Sequence, residues 1–101
     1  MNTLEQQTSA RRMHTPQGLE IRYERGFLRD LKQLEPAAAC QLQKFVFEDF
    51  YQINQIQELP EFRQLGTSGI FYRFTLDHYL ISLEVTGQIV KFLRVLPKPT
   101  I

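Results

Sequence analysis

The sequence predicts an α+β domain in the order β-α-α-β-β-β, with a helix hairpin packed on one face of a small, mainly antiparallel sheet. Three observations carry this expectation. Apolar residues alternate at period two over residues 19–23, recur at three and four residues as far as residue 56, and alternate again from residue 71. The length of 101 residues suits a single hydrophobic core. A hydrophobic content of 43%, with 12% aromatic residues, is enough to fill that core and unlike a disordered chain.

Residues 1–18 are polar, with Asn2, Thr3, Gln6, Gln7, Thr8, Ser9, Arg11 and Arg12 and no apolar periodicity. They are expected to form a flexible tail, leaving residues 19–101 as the folded domain. Met13 offers an internal start that keeps that domain whole, and Arg11-Arg12 reads as a solvated basic pair. Leu19, Ile21 and Tyr23 alternate with Glu20 and Arg22, the pattern of a half-buried strand. From Arg25 the period changes, because Phe27, Leu28, Leu31 and Leu34 fall on one helical stripe while Arg29, Asp30, Lys32 and Gln33 turn away.

That helix should stop before Pro36, since the residue preceding a proline is pushed out of the helical region. Pro36 itself suits the first turn of a second helix. Ala37 to Glu58 carries Leu42, Phe45, Val46, Phe50, Ile53 and Ile56 on one stripe, so a long helix is expected there, closed by Leu59-Pro60. Cys40, near its start, is expected as a small buried residue. Gly66-Thr67-Ser68-Gly69 is turn chemistry. A meander follows, with strands at Phe71–Leu76, Tyr79–Val85 and Gln88–Leu96 joined by Asp77-His78 and Thr86-Gly87 and stopped by Pro97 and Pro99.

Two-residue hairpins fix register, and register decides which side chains share a face. One face should carry Tyr72, Phe74, Ile81, Leu83, Val90, Phe92 and Arg94 and take the helices. The other should carry Phe71, Arg73, Thr75, Leu80, Ser82, Glu84, Ile89, Lys91 and Leu93, a mixture suited to a binding surface.

Composition excludes several function classes. Twelve Lys and Arg against eleven Asp and Glu leave a formal charge of +1, so only a local concentration of positive charge would bind nucleic acid. A single cysteine forms no internal disulfide, and no charged segment followed by an apolar one opens the chain, so a cytoplasmic location is expected. Apolar runs fall far short of the roughly 18 residues of a membrane span, and no membrane association is expected. His14 and His78 lie far apart with one cysteine between them, so no metal and no cofactor are expected. Phosphate-cradling glycine loops and nucleophile elbows are absent from the sequence.

The order of elements, with Phe27-Leu28-Arg29-Asp30-Leu31-Lys32-Gln33-Leu34, then Tyr72-Arg73-Phe74, Asp77-His78-Tyr79 and Phe92-Leu93-Arg94-Val95-Leu96, resembles the RelE/ParE superfamily of toxins. The resemblance runs from Leu19 to the C-terminus. It implies a toxin neutralised by a cognate antitoxin. RelE-like members cut messenger RNA in the ribosomal decoding site, the 2′-hydroxyl of one nucleotide attacking the adjacent phosphate, whereas ParE-like members inhibit gyrase. Cleavage of this kind needs a base near the hydroxyl, positive charge around the phosphoryl oxygens and an acid for the departing oxygen.

Carried over by position, the resemblance implies Arg73 as the first basic residue of the catalytic cluster and Lys98 in place of a C-terminal arginine. Thr75 and Leu80 stand where further basic residues are usual, and the C-terminal His and Tyr of many members have no counterpart. Arg22, Arg25, Arg29, Lys32, Lys44 and Lys91 are the expected RNA contacts, and Leu80, Ile89 and Leu93 the expected antitoxin contacts. Two readings follow: a ribosome-dependent messenger endoribonuclease that inhibits translation, or a catalytically degenerate module on the same fold that binds gyrase, the ribosome or a protein.

Overall fold

The computed structural model describes residues 15–99. Residues 1–14 of the expected tail, with Arg11, Arg12 and Met13, lie outside the described residues, as do Thr100 and Ile101. Thr15 is buried, accepts the Gly18 N–H on its carbonyl, and accepts the Leu19 N–H on its hydroxyl at 3.1 Å, forming a turn that leads into the sheet.

The first strand, β1 (Glu20–Tyr23), is followed by helix α1 (Arg25–Gln33) and helix α2 (Pro36–Phe47). Strands β2 (Arg63–Gln64), β3 (Phe71–Leu76), β4 (Tyr79–Thr86) and β5 (Ile89–Pro97) complete a five-stranded sheet in the order β1-β5-β4-β3-β2. Only β1 runs parallel to its neighbour, β5, and the connection between them passes through the helices. The architecture is the expected α+β one, and β2 adds a strand too short for its alternation to show in the sequence.

Both helices lie on one face of the sheet. Phe27 and Leu31 of α1, and Leu42 and Val46 of α2, are buried in one core with Phe74, Ile81, Leu83, Val90 and Phe92 of the sheet. Phe92 sits at the middle: its ring centroid is 5.0 Å from Phe50, 5.1 Å from Phe27, 5.2 Å from Tyr23 and 6.5 Å from Phe74.

Three expectations are corrected. The long second helix stops at Phe47, and residues 49–58 instead hold two 3₁₀ turns, Asp49–Gln52 and Ile56–Glu58. Tyr23 explains the stop. Its hydroxyl donates to the Val46 carbonyl at 2.7 Å, taking the acceptor that a continuing helix would offer to the Phe50 N–H. Burial, and then the hydrogen bond to Tyr51, push the Tyr23 pKa far upward, so the hydroxyl keeps its proton. The tighter 3₁₀ turn then carries Phe50 into the core.

The second correction concerns register. Leu76 pairs with Tyr79 as expected, but the second hairpin closes with Thr86 opposite Ile89, so Gly87-Gln88 is the turn. Asp77 and Gly87, each first in its turn, hold positive φ of 58° and 60°, a conformation easiest for Gly and tolerated by Asp. Between Leu83–Phe92 and Ser82–Arg94 the β5 strand carries one extra residue, Leu93, so Val95 rather than Arg94 reaches the core. Arg94 instead pairs with Asp30 of α1, Nε to Oδ2 at 2.7 Å.

Cys40 is the third. It is exposed, because the stripe of Ala38, Leu42 and Val46 turns that position away from the sheet. Among the described residues no helix is long and apolar enough to cross a membrane.

Asp30 docks α1 onto the sheet. Its side chain is 12% exposed, and besides Arg94 it accepts the Val95 N–H at 2.8 Å on the part of β5 that extends past β1. The Arg94 hydrogen bond, helped by the Val95 N–H, outweighs desolvation and holds the carboxyl below its ordinary range. A carboxyl depressed by folding stabilises the fold above its unfolded-state pKa of about 3.9, and that contribution is lost as pH falls through the folded-state value. Asp30→Asn is therefore expected to cost about 1–3 kcal/mol at neutral pH. Urea titrations should show that difference shrinking toward zero once the native carboxyl is protonated. Phe92→Ala should cost about 3–5 kcal/mol in the same measurement, because four rings lose their common neighbour.

Candidate functional site

The helices leave the second face of the sheet open. Cross-strand partners share a face, so the ladder places side chains in rows. One row runs Arg63–Arg73–Ser82 across β2, β3 and β4. The next runs Thr75–Leu80–Leu96 across β3, β4 and β5. A third runs Phe71–Glu84–Lys91–Arg22 and reaches β1.

A groove of about 370 Å³ spans the first two of these rows, lined by Leu65, Arg73, Leu80, Ser82 and Leu96. Leu65 and Leu96 are 38% and 47% exposed, well above the usual burial of leucine. Arg73 is half-buried at this groove and Arg63 beside it is exposed. Neither forms an ion pair with a carboxylate among the described residues. Two like charges directly opposite on neighbouring strands oppose folding, so this pair is a local excess of positive charge inside a nearly neutral chain.

The other end of the face is built around Glu61. The Thr75 hydroxyl donates to Glu61 Oε1 at 2.7 Å and the Lys98 ammonium donates to the same oxygen at 3.3 Å. Thr75 is buried, and its N–H donates to the Pro60 carbonyl, which pins the turn carrying Glu61 to β3. The Lys98 N–H donates to the His78 carbonyl, fixing the segment after β5 beside the β3–β4 turn. Together the Thr75 hydroxyl first, and then Lys98 with a smaller contribution from Arg63, hold the Glu61 carboxyl below its ordinary range.

The expected site residues are thus distributed unevenly. Arg73 lies on the groove and Lys98 lies at the Glu61 end of the same face, bound to that carboxylate. Arg22 and Lys91 share a row of that face, but Arg22 pairs with Glu20 and Lys91 with Glu24 at 3.5 Å. Arg25, Arg29 and Lys32 are exposed on α1, and Lys44 on α2 pairs with Asp49 at 3.0 Å, all on the helical layer behind the sheet. Of the expected partner contacts only Leu80 lines the groove, while Ile89 and Leu93 are half-buried outside it. His78 is at the tip of its turn with an 89% exposed side chain, 3.8 Å from Asp77.

Sequence reasoning missed Arg63, Glu61, Leu65 and Leu96. Arg63 and Leu65 had a readable signal: residues 63–65 and 71–73 flank the Gly66–Gly69 turn and pair across it, with the Leu65 N–H donating to the Phe71 carbonyl. Glu61 had none, because its contacts are with residues far along the chain.

Sequence comparison with protein-family models and with curated proteins gives no match. Solved structures give several. The archaeal RelE-RelB complex from Pyrococcus horikoshii OT3 has a TM-score of 0.64 at 17% identity, over 82% of this chain and 98% of that one. This is the RelE fold. The RelB-RelE antitoxin-toxin complex from Methanococcus jannaschii has a TM-score of 0.60 at 22% identity, covering 75% of this chain and 88% of that chain. The isolated E. coli RelE toxin has a TM-score of 0.57 at 15% identity, covering 80% and 85%. On this RelE fold the face left open by the helices carries Arg63, Arg73 and the groove.

Relief of the like-charge pair has a measurable consequence. Arg63→Glu places a carboxylate opposite Arg73 and is expected to raise stability by about 0.2–1 kcal/mol, read as a higher urea midpoint with an unchanged slope.

Proposed function

We propose that this chain is the toxin of a toxin-antitoxin system and that it acts on messenger RNA held in the ribosomal decoding site. The observation that carries the reading is the Arg63–Arg73 pair, two guanidinium groups free of carboxylate partners among the described residues, on the open face of a RelE fold. In the proposed reaction the 2′-oxygen of one nucleotide bonds to the adjacent phosphorus as its proton leaves to a base. The bond from phosphorus to the 5′-oxygen breaks, and that oxygen takes up a proton. Negative charge builds on the non-bridging oxygens between these events, where a guanidinium fork donates two parallel hydrogen bonds. Arg73, set at the groove, is the residue assigned to that role, with Arg63 beside it and Lys98 as a further cation of the face.

An antitoxin is the proposed partner. The Methanococcus jannaschii and Pyrococcus horikoshii structures are complexes of RelE with RelB, and the exposed leucines of the groove are an apolar patch of the kind that marks interfaces. The same leucines favour a second reading. An apolar groove without the further bases expected at Thr75 and Leu80 suits a module that binds the ribosome, gyrase or another protein without cutting RNA.

Induction of the chain in a bacterial host, with messenger 5′ ends mapped against codons, tests the first reading. Cleavage inside coding sequence, dependent on translation, is the expected result. Arg73→Ala should lower cleavage about 100-fold or more, the scale of one preorganised donor, and Gln41→Ala, exposed on the helical layer, should leave it unchanged. Intact transcripts with growth arrest that survives Arg73→Ala would overturn it in favour of the binding module, and a gyrase supercoiling assay identifies that branch.

A further inference from the structure

Glu61 is an exposed acid in a place where an acid is unfavourable on two counts. Its backbone holds φ of 51°, the left-handed region that a residue with a Cβ adopts at a cost. Its carboxylate also belongs to the face that carries the Arg63–Arg73 pair, near enough for Arg63 to help hold it ionised, and an anion there repels the phosphates that such a face attracts. The left-handed turn is nonetheless fixed at several points: the Phe62 N–H donates to the Leu59 carbonyl, the Thr75 N–H to the Pro60 carbonyl and the buried Thr75 hydroxyl to Glu61 itself. One oxygen, Oε1, accepts from both Thr75 and Lys98.

We infer that Glu61 is a positioning residue that holds the Lys98 ammonium at the end of the groove, so that a phosphate of the bound strand meets a fixed cation there as well as Arg73. A lysine side chain is a point charge on a flexible stem, and holding it in place beforehand removes an ordering cost from ligand binding. Thr75 contributes by orienting the carboxylate, which leaves the ammonium two further protons to donate to a phosphate oxygen. The device supplies charge to a row whose strand residue, Thr75, carries none. This inference rests on the RNA-binding reading above.

The sign of one effect separates positioning from simple charge. If Glu61 merely neutralised Lys98, removing its charge would tighten binding to a polyanion; if it positions Lys98, removal weakens binding. The probe is a short fluorescein-labelled 2′-O-methyl oligoribonucleotide, which binds but has no free 2′-hydroxyl to react, titrated with the full chain at several salt concentrations. Lys98→Ala is expected to weaken binding about threefold and to lower the salt slope by about one, as for loss of a single phosphate contact.

Glu61→Gln should weaken binding in the wild-type background but tighten it slightly in the Lys98→Ala background, where only the repulsion of the carboxylate is left to remove, a reversal of sign that marks one residue acting through another. Thr75→Val, which leaves both charges in place, should also weaken binding in the wild-type background, and thermal unfolding checks that each variant is folded. Tighter or unchanged binding by Glu61→Gln in the wild-type background, or equal weakening in both backgrounds, overturns the inference while leaving the RNA reading intact. Absence of wild-type binding at low salt overturns both together.

Discussion

Phe92 is the point on which the structure depends, because its ring meets the first strand through Tyr23, α1 through Phe27, the 3₁₀ turn after α2 through Phe50 and the neighbouring sheet through Phe74. Tyr23, Phe27, Phe50 and Phe74 all place rings within 6.5 Å of it. Burying this cluster forces β1 to lie beside β5, since Tyr23 and Phe92 are register partners. That parallel pairing in turn requires the intervening helices to cross one face of the sheet. The Tyr23 hydroxyl then ends α2 at Phe47 by taking the Val46 carbonyl, and lets Phe50 close the cluster from the other side.

A sheet of this size with helices on one face only has a second face without a layer, and everything proposed about function follows from what occupies it. Most cations of the chain are tied to acids or stand on the helices. Arg63 and Arg73 are the exceptions among the described residues of the open face, and the register of a two-residue strand brings them together. Nearly neutral net charge is therefore compatible with an anion-binding surface: eleven acids balance twelve bases over the molecule but not along this row. The leucines beside it make the groove amphipathic, which suits a nucleotide strand or a protein segment and explains why both a target and an antitoxin belong to the proposal.

Much of the architecture was readable from hydrophobic period alone. The alternation at residues 19–23, the stripe of Phe27 and Leu31, the hairpin at Asp77-His78 and the covered face of Phe74, Ile81, Leu83, Val90 and Phe92 depend on local geometry, which a linear pattern records. Where tertiary contacts decide, the pattern misled. The apolar stripe runs on through Phe50, Ile53 and Ile56 as though the helix did too, but a tyrosine from a distant strand takes the carbonyl that would continue it. The extra residue Leu93 leaves the alternation of β5 looking regular while moving Val95 into the core and Arg94 out to Asp30.

The candidate site divides in the same way. Arg73 and the open face that carries it were accessible from strand alternation, since a side chain's face is a property of its own strand. The convergence of Glu61, Thr75 and Lys98 on one oxygen required knowing where the turn at Pro60 docks. By itself the sequence determined the fold class, most of the core and which strand residues face away from the helices, because burial of apolar side chains acts residue by residue along each element. Only the tertiary structure decided which charges are neighbours and which are free, because charge pairing depends on distances between segments that sequence spacing does not set.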